Sequence, residues 1–293
     1  MASKFAAGWA RFIPMIGYHH IMMMVAAVAI VFLSILLAGC TSSNGLSNVY
    51  LLSLQYTNIS SLAKADGAQV STAIQEAVTN ASRAGSGTTL EVRAGYMGLC
   101  MTQGDEDRIC SSSARALASI LKAEKKSVEI GNVTTEYSPD PLNLVMMANE
   151  FREKIVFDGL LFITIALTFA CFLLLGTFPG WHEKVSDTGS EVEVKPFPAR
   201  PVVGACLFTI GPAFGFALIS VLWQHINSSS TASMVETLTY GAVAGHVGAA
   251  AMAFGWIAVG LVATVGLGLF IMKLSINLIM ALTEEDESDY DED

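Results

Sequence analysis

The sequence predicts an all-α membrane bundle of four spanning helices carrying an outer α+β cap that contains a small antiparallel sheet. Three observations point there. Apolar residues make up 53% of the 293 residues and charged ones 14%, too greasy for a soluble domain of this size. Those apolar residues gather into four blocks, 21–39, 155–178, 202–223 and 242–272, each long enough to cross ~30 Å of hydrocarbon as a helix. The long polar segment between the first two blocks reads as strands and short helices instead. Four spanning helices follow because backbone in lipid must close its own hydrogen bonds, which a helix does within one segment.

Taken in order, residues 1–20 form an inner leader with Lys4 and Arg11, and 21–39 the first span. Residues 40–154 are the outer loop, 155–178 the second span, and 179–201 an inner loop with Lys184, Lys195 and Arg200. Residues 202–223 are the third span, 224–241 a second outer loop without Lys or Arg, 242–272 the fourth span, and 273–293 an inner tail starting at Lys273. The positive-inside rule therefore puts both termini and the middle loop in the cytoplasm, since long loops such as 40–154 translocate whatever their charge. Four Asn-x-Ser/Thr acceptors, Asn58, Asn80, Asn132 and Asn227, all fall in the outer segments and read as glycosylation sites.

Within the first outer loop, Val49–Tyr56 has strand composition, and Ser61–Ala84 shows helical spacing of Leu62, Ala65, Val70, Ile74 and Ala77. Residues 88–97 return to strand composition, and Gln103–Arg108 is a turn by its Gly and Asp content. Ser111–Lys126 is predicted helical with Ser111–Ser113 as the cap, and Pro139-Asp140-Pro141 breaks the chain. Residues 142–154 then form a helix running directly into the second span. Glycines recur through the third and fourth spans, Gly211, Gly215, Gly255 and Gly266 among them, and let helices approach closely in lipid.

The five cysteines separate by place. Cys100 and Cys110 lie in the outer loop, where an oxidising compartment sustains a disulfide, whereas Cys40, Cys171 and Cys206 act as small apolar residues in or beside spans. One alternative stays open: Leu36-Leu37-Ala38-Gly39-Cys40 is similar to a bacterial lipoprotein cleavage box, which would make the first block a removed signal peptide. The three later spans, the clustered acceptor sites and a leader of about twenty residues before the apolar run argue against it.

The sharpest motif is Gly95-Tyr96-Met97-Gly98-Leu99-Cys100 followed by Cys110. Its Gly-apolar-apolar-Gly-x-Cys form, set between the first two of four spans, resembles the claudin superfamily's first extracellular loop, two strands clasped by a disulfide. Within that superfamily it most resembles the fungal family of pheromone-induced calcium regulators and membrane fusion proteins. The tryptophan usual in true claudins is absent, and Met97 stands where an aromatic is expected. The resemblance implies a claudin-like plasma-membrane tetraspan supporting low-affinity Ca²⁺ influx and membrane fusion in mating. Ca²⁺ would then be the transported or regulating ion and no other cofactor is implied. Its partners would be the bilayer and, at the fusion site, further copies or other membrane proteins. The second reading is an eisosome-type or claudin-like tetraspan that organises membrane domains, cell contact or wall integrity without ion transport.

Asp105, Glu106 and Asp107 form an acidic turn able to attract Ca²⁺, although it lacks the alternating ligand spacing of a dedicated calcium loop. Asp158 is placed one turn inside the second span and His246 comparably deep in the fourth, positions where ionisable residues tend to be functional. No phosphate loop, Gly-x-Ser-x-Gly or His-Glu-x-x-His occurs, so the chain is not read as an enzyme. The net charge of −10 comes largely from eight acidic residues in Glu284–Asp293, a solvated tail holding Ser288 and Tyr290, and no basic stripe for nucleic acid exists.

Overall fold

The structure is a computed structural model describing residues 17–43, 45–57, 90–104, 107–123, 126–130, 133–137, 140–178, 182–185, 191–194 and 198–290. The helix expected over Ser61–Ala84, the acceptors Asn58, Asn80 and Asn132, and the acidic residues Asp105 and Glu106 lie outside them. The first elements are α1 (Tyr18–Leu37), β1 (Leu52–Tyr56), β2 (Leu90–Ala94), β3 (Leu99–Gln103) and β4 (Ile109–Ser111). Then come α2 (Ala114–Ala123), a hairpin of β5 (Lys126–Ile130) and β6 (Val133–Tyr137), α3 (Leu144–Lys154) and α4 (Gly159–Gly176). A hairpin of β7 (His182–Val185) and β8 (Glu191–Val194), α5 (Arg200–Leu238), β9 (Val243–Val247) and α6 (Ala249–Tyr290) complete the chain. Among the described residues, four helices are long and apolar enough to cross a membrane: α1, α4, α5 and Ala249–Leu278 of α6.

The chain divides into two compact units. The first, Met1–Phe32, Leu161–Leu218 and Ile257–Asp293, takes part of each long helix. Its core is mostly apolar and contains many small residues, Ala26 and Ala29 of α1, Cys171 and Leu175 of α4, Cys206, Ile210 and Ala213 of α5, Val262 and Val265 of α6, with Thr164 and Thr168 of α4 buried as well. A Cβ on Gly268 would come within 2.6 Å of Met22 Sδ and 2.7 Å of the Tyr18 hydroxyl, so α6 lies closely against α1 and those side chains would have to shift to admit one. Close packing of this kind, not water exclusion, holds helices together in lipid.

The second unit, Leu33–Leu160 and Ile219–Trp256, carries an antiparallel sheet in the order β4-β3-β2-β1-β9. Leu90, Val92 and Ala94 alternate with Glu91 and Arg93 along β2, the period of a strand with one buried face. Helix α3 buries Leu144, Val145, Ala148 and Phe151 and packs against β1 and β2. Asp140 fixes its start: the carboxylate accepts the N–H groups of Leu144 at 2.7 Å and Val145 at 3.2 Å, two of the donors a helix N-terminus leaves unpaired. The Tyr56 hydroxyl donates to the same carboxylate at 2.7 Å and accepts from Leu142 N–H at 2.9 Å, tying β1 to the helix entry.

Three boundaries differ from the sequence expectation. Helix α5 runs 39 residues to Leu238, so most of the segment expected as a loop over 224–241 is helical. Its buried stripe is Ser220, Gln224, Ser228, Ala232 and Val235, continued by Thr239 just past the helix end, helical in period yet too polar to read as an apolar face. Residues Val243–Val247, expected inside the fourth span, are instead β9 paired with β1, and His246 sits opposite Ser53 in that ladder. Tyr240 and Gly241 at φ 52° and 77° turn the chain into the strand. Helices α3 and α4 are not continuous either: Ile155–Asp158 separates them, a β-branched pair followed by Gly159 being a weak helix stretch.

Candidate functional site

The glycine-cysteine motif is the connection between β2 and β3, closed by Gly95 N–H donating to Gly98 O at 2.9 Å. Its glycines face the backbone at the end of α1. A Cβ on Gly95 would run into the Gly39 carbonyl, and one on Gly98 into the carbonyl of Cys40; Gly39 in turn has no room for a Cβ against Val49 O. Three glycines thus permit three backbone segments to cross in contact. Cys40 adopts φ 59° at this crossing, is fully buried, and its thiol lies 3.6 Å from Val49 O. Burial pushes that thiol up to about 12, against the lowering influence of Arg93 and Arg108, so it stays protonated and unreactive at neutral pH.

Beyond the motif, Cys100 and Cys110 face one another across β3 and β4 and are joined by a disulfide, with Cα atoms 4.0 Å apart. Cys100 is fully buried, its sulfur 3.6 Å from Cys40 O, so the bond sits directly behind the crossing. Tyr96 is buried with its hydroxyl hydrogen-bonded to Ser220 and near Asp158, and burial raises its ionisation well above the normal range. Met97, 45% exposed, is the motif residue left at the surface.

Two arginines that the sequence reading passed over brace this region. Arg93 donates from Nε and Nη2 to the two Glu91 oxygens at 2.7 and 3.2 Å, donates from Nη1 to Asn48 Oδ1 at 2.9 Å, and stacks 4.7 Å over the Tyr50 ring. Arg108 donates to Thr102 Oγ1 at 3.0 Å, Ser47 Oγ at 2.9 Å and Asn48 Oδ1 at 3.1 Å. Both guanidinium groups therefore converge on Ser47-Asn48, in the short turn between α1 and β1. The available signal was Glu91 and Arg93 alternating with apolar residues, which puts opposite charges on one face of a strand.

The remaining predicted positions are scattered. Asp107 is exposed beside the turn, and Asp158 is half-buried in the residue before α4, not one turn within a span. His246 lies in β9. Asn227 lies within α5 and donates from Nδ2 to Trp223 O at 2.9 Å. Among the described residues no three His, Cys, Asp or Glu side chains converge as metal ligands. The site holds buried hydroxyls, a buried thiol and paired charges.

Four apolar helices with a disulfide-bonded sheet unit define a multi-pass membrane protein. The profile of Fig1, Ca²⁺ regulator and membrane fusion protein, matches residues 76–275. The chain belongs to this Fig1 family, a family of membrane regulators and fusion proteins. No curated protein matches the chain.

Proposed function

We propose that this protein is a plasma-membrane tetraspan, claudin-like in layout, that promotes low-affinity Ca²⁺ influx and the fusion of partner membranes during fungal mating. Both termini are cytoplasmic and the sheet unit is extracellular and glycosylated. The family match across residues 76–275 is the observation that carries this reading. Within it, the part of regulator is favoured over that of conduit. A conduit would place polar residues such as Asp158 or Asn277 along a path. The buried core shared by the four long helices in the first unit is instead mostly apolar, Thr164 and Thr168 of α4 being its polar members among the described residues, while Asp158 precedes α4 and Asn277 is on the exposed surface of α6. The sheet unit is then the acting part, presenting Met97 and Asp107 outward.

Ca²⁺ uptake by cells with and without the gene, with and without pheromone, tests the first half, and flux through vesicles holding the purified protein tests the second. Uptake that needs both gene and pheromone is expected, with no flux above that of empty vesicles. Unchanged uptake in cells lacking the gene would remove the calcium role, and flux in the vesicles would make the protein a channel.

A further inference from the structure

A cleft of about 440 Å³ lies between the end of α3, the Ile155–Asp158 linker and the Ile219–Trp223 stretch of α5. Its lining combines two chemistries: the charged Glu153 and Lys154 with the apolar and aromatic Phe157, Leu160, Ile219 and Trp223. Phe157 and Trp223 are 57% and 55% exposed, so their faces are open to whatever fills the cleft. The Trp223 indole N–H donates to Ile155 O at 3.2 Å, which orients the ring. The cleft adjoins the start of α4, a candidate span, at Gly159. In a membrane that is headgroup level, where tryptophan is enriched.

We infer that this cleft binds a zwitterionic glycerophospholipid. Its phosphate would meet Lys154, its quaternary ammonium would lie between Glu153 and the aromatic faces of Phe157 and Trp223, and its upper acyl chains would run along Leu160 and Ile219. Quaternary ammonium groups bind in such settings of aromatic face and carboxylate. The volume is within the ordinary range for ligand clefts. A sterol offers one hydroxyl and matches neither charge; a purely anionic headgroup meets repulsion from Glu153. The existing pairs are not obstacles: Lys154 holds Glu150 at 2.6 Å with both side chains more than half exposed, and Glu153 is 3.9 Å from Arg152. The exposed Lys154–Glu150 pair is worth little and readily shares a partner, and Arg152, itself 14% exposed, is held by Ser112 O and Asn149 Oδ1 rather than by Glu153.

The full chain in phosphatidylcholine vesicles, doped with a photoactivatable phosphatidylcholine and then with a photoactivatable sterol, tests the inference through the labelled peptides. Expected is phosphatidylcholine labelling of Leu160, Ile219 and Trp223 several-fold above the exposed residues Phe208 and Phe270. Ile219→Trp should reduce it several-fold without changing label at Phe208 and Phe270. Glu153→Lys should shift the preference toward phosphatidylserine in competition. Because Glu153 is exposed, that variant carries the test even where Ile219→Trp disturbs folding. Labelling equal to that at Phe208 and Phe270, sterol labelling as strong as phospholipid labelling, or an unshifted preference in Glu153→Lys would each overturn the proposal.

Discussion

At Gly98 a methyl group would run into the Cys40 carbonyl, a backbone atom that no rotamer change can move. Gly98→Ala should therefore destabilise the sheet unit by at least ~1–3 kcal/mol, the range for overpacking, because strand or helix end must shift. Gly45→Ala makes a useful comparison: φ there is 129°, but nothing lies within 4 Å, so strain acts without a clash. Detergent-solubilised melting curves measure both, and a Gly98→Ala curve that overlays the wild type would refute the close-crossing account. Glu91 supplies a pH dependence at the same scale. Burial pushes its carboxyl upward, but hydrogen bonds from Arg93 and Ser53 and the charges of Arg93 and Arg108 outweigh burial and hold it below the usual range. A group whose folded pKa is depressed adds stability above its unfolded pKa, about 4.3 for Glu, and loses it as pH falls through the folded value. Glu91→Gln should cost about 1 kcal/mol at pH 7, after allowance for its partial exposure, and should flatten the acid limb of stability. Acid limbs that stay parallel would show that Glu91 does not set the pH response.

At the scale of elements, the hairpin of β3 and β4 depends on Cys100–Cys110, since β4 is three residues long and lies at the sheet edge. Closing so short a loop removes unfolded-state freedom worth roughly 2–4 kcal/mol. Cys100→Ser and Cys110→Ser should each retain the protein in the secretory pathway, and the double substitution should be no worse than either. Thiol labelling after non-reducing denaturation is the check; free thiols at both positions in surface protein would disprove the linkage. The four long helices and strands β1 and β2 were legible because their signals are local, runs of apolar residues and apolar residues alternating with polar ones, whereas β3, with three buried residues in a row, was reached only through the resemblance. Helix α5 beyond Trp223 was not legible, because its buried stripe is built from Ser and Gln alongside Ala and Val, and a polar stripe carries no hydrophobic period. β9 was hidden for the opposite reason. Its residues are nearly as apolar as the helix after it, and only Gly241, Gly245 and Gly248 punctuate the change; a Cβ on Gly248 would strike Tyr50 O, so the strand-to-helix turn requires glycine there. The arginine brace depends on pairings far apart in sequence, Arg108 with Ser47 and Asn48, which no local pattern encodes.

For the whole molecule, the pairing of β9 with β1 sets a topological constraint that does not depend on charge counting. β1 follows the first candidate span and β9 precedes the fourth, and one sheet holds both, so the segments containing them must lie on the same side of the membrane. With all four candidate spans crossing, the segment between α4 and α5, with its β7–β8 hairpin, is one span away from each and is expected on the other side. Glycan mapping tests this in full. If the sheet side is outside, Asn58, Asn80 and Asn132 should be modified in a eukaryotic secretory pathway, and each Asn→Gln change should remove one glycan's mass. An acceptor engineered into Ser186–Ser190 should stay bare. Asn227 is now expected to differ from the other three although it shares their side. Its amide nitrogen, the atom that must receive the sugar, already donates to Trp223 O at 2.9 Å within a continuous helix, one turn beyond Trp223. Asn227→Gln should leave the mass unchanged, whereas Gly or Pro substitutions that break α5 at Ala232 or Ser233, outside the Asn227-Ser228-Ser229 acceptor, should let Asn227 be modified. Modification at Ser186–Ser190 would invert the topology, and modification of Asn227 in the intact chain would mean that α5 ends near Trp223 when the transferase meets it.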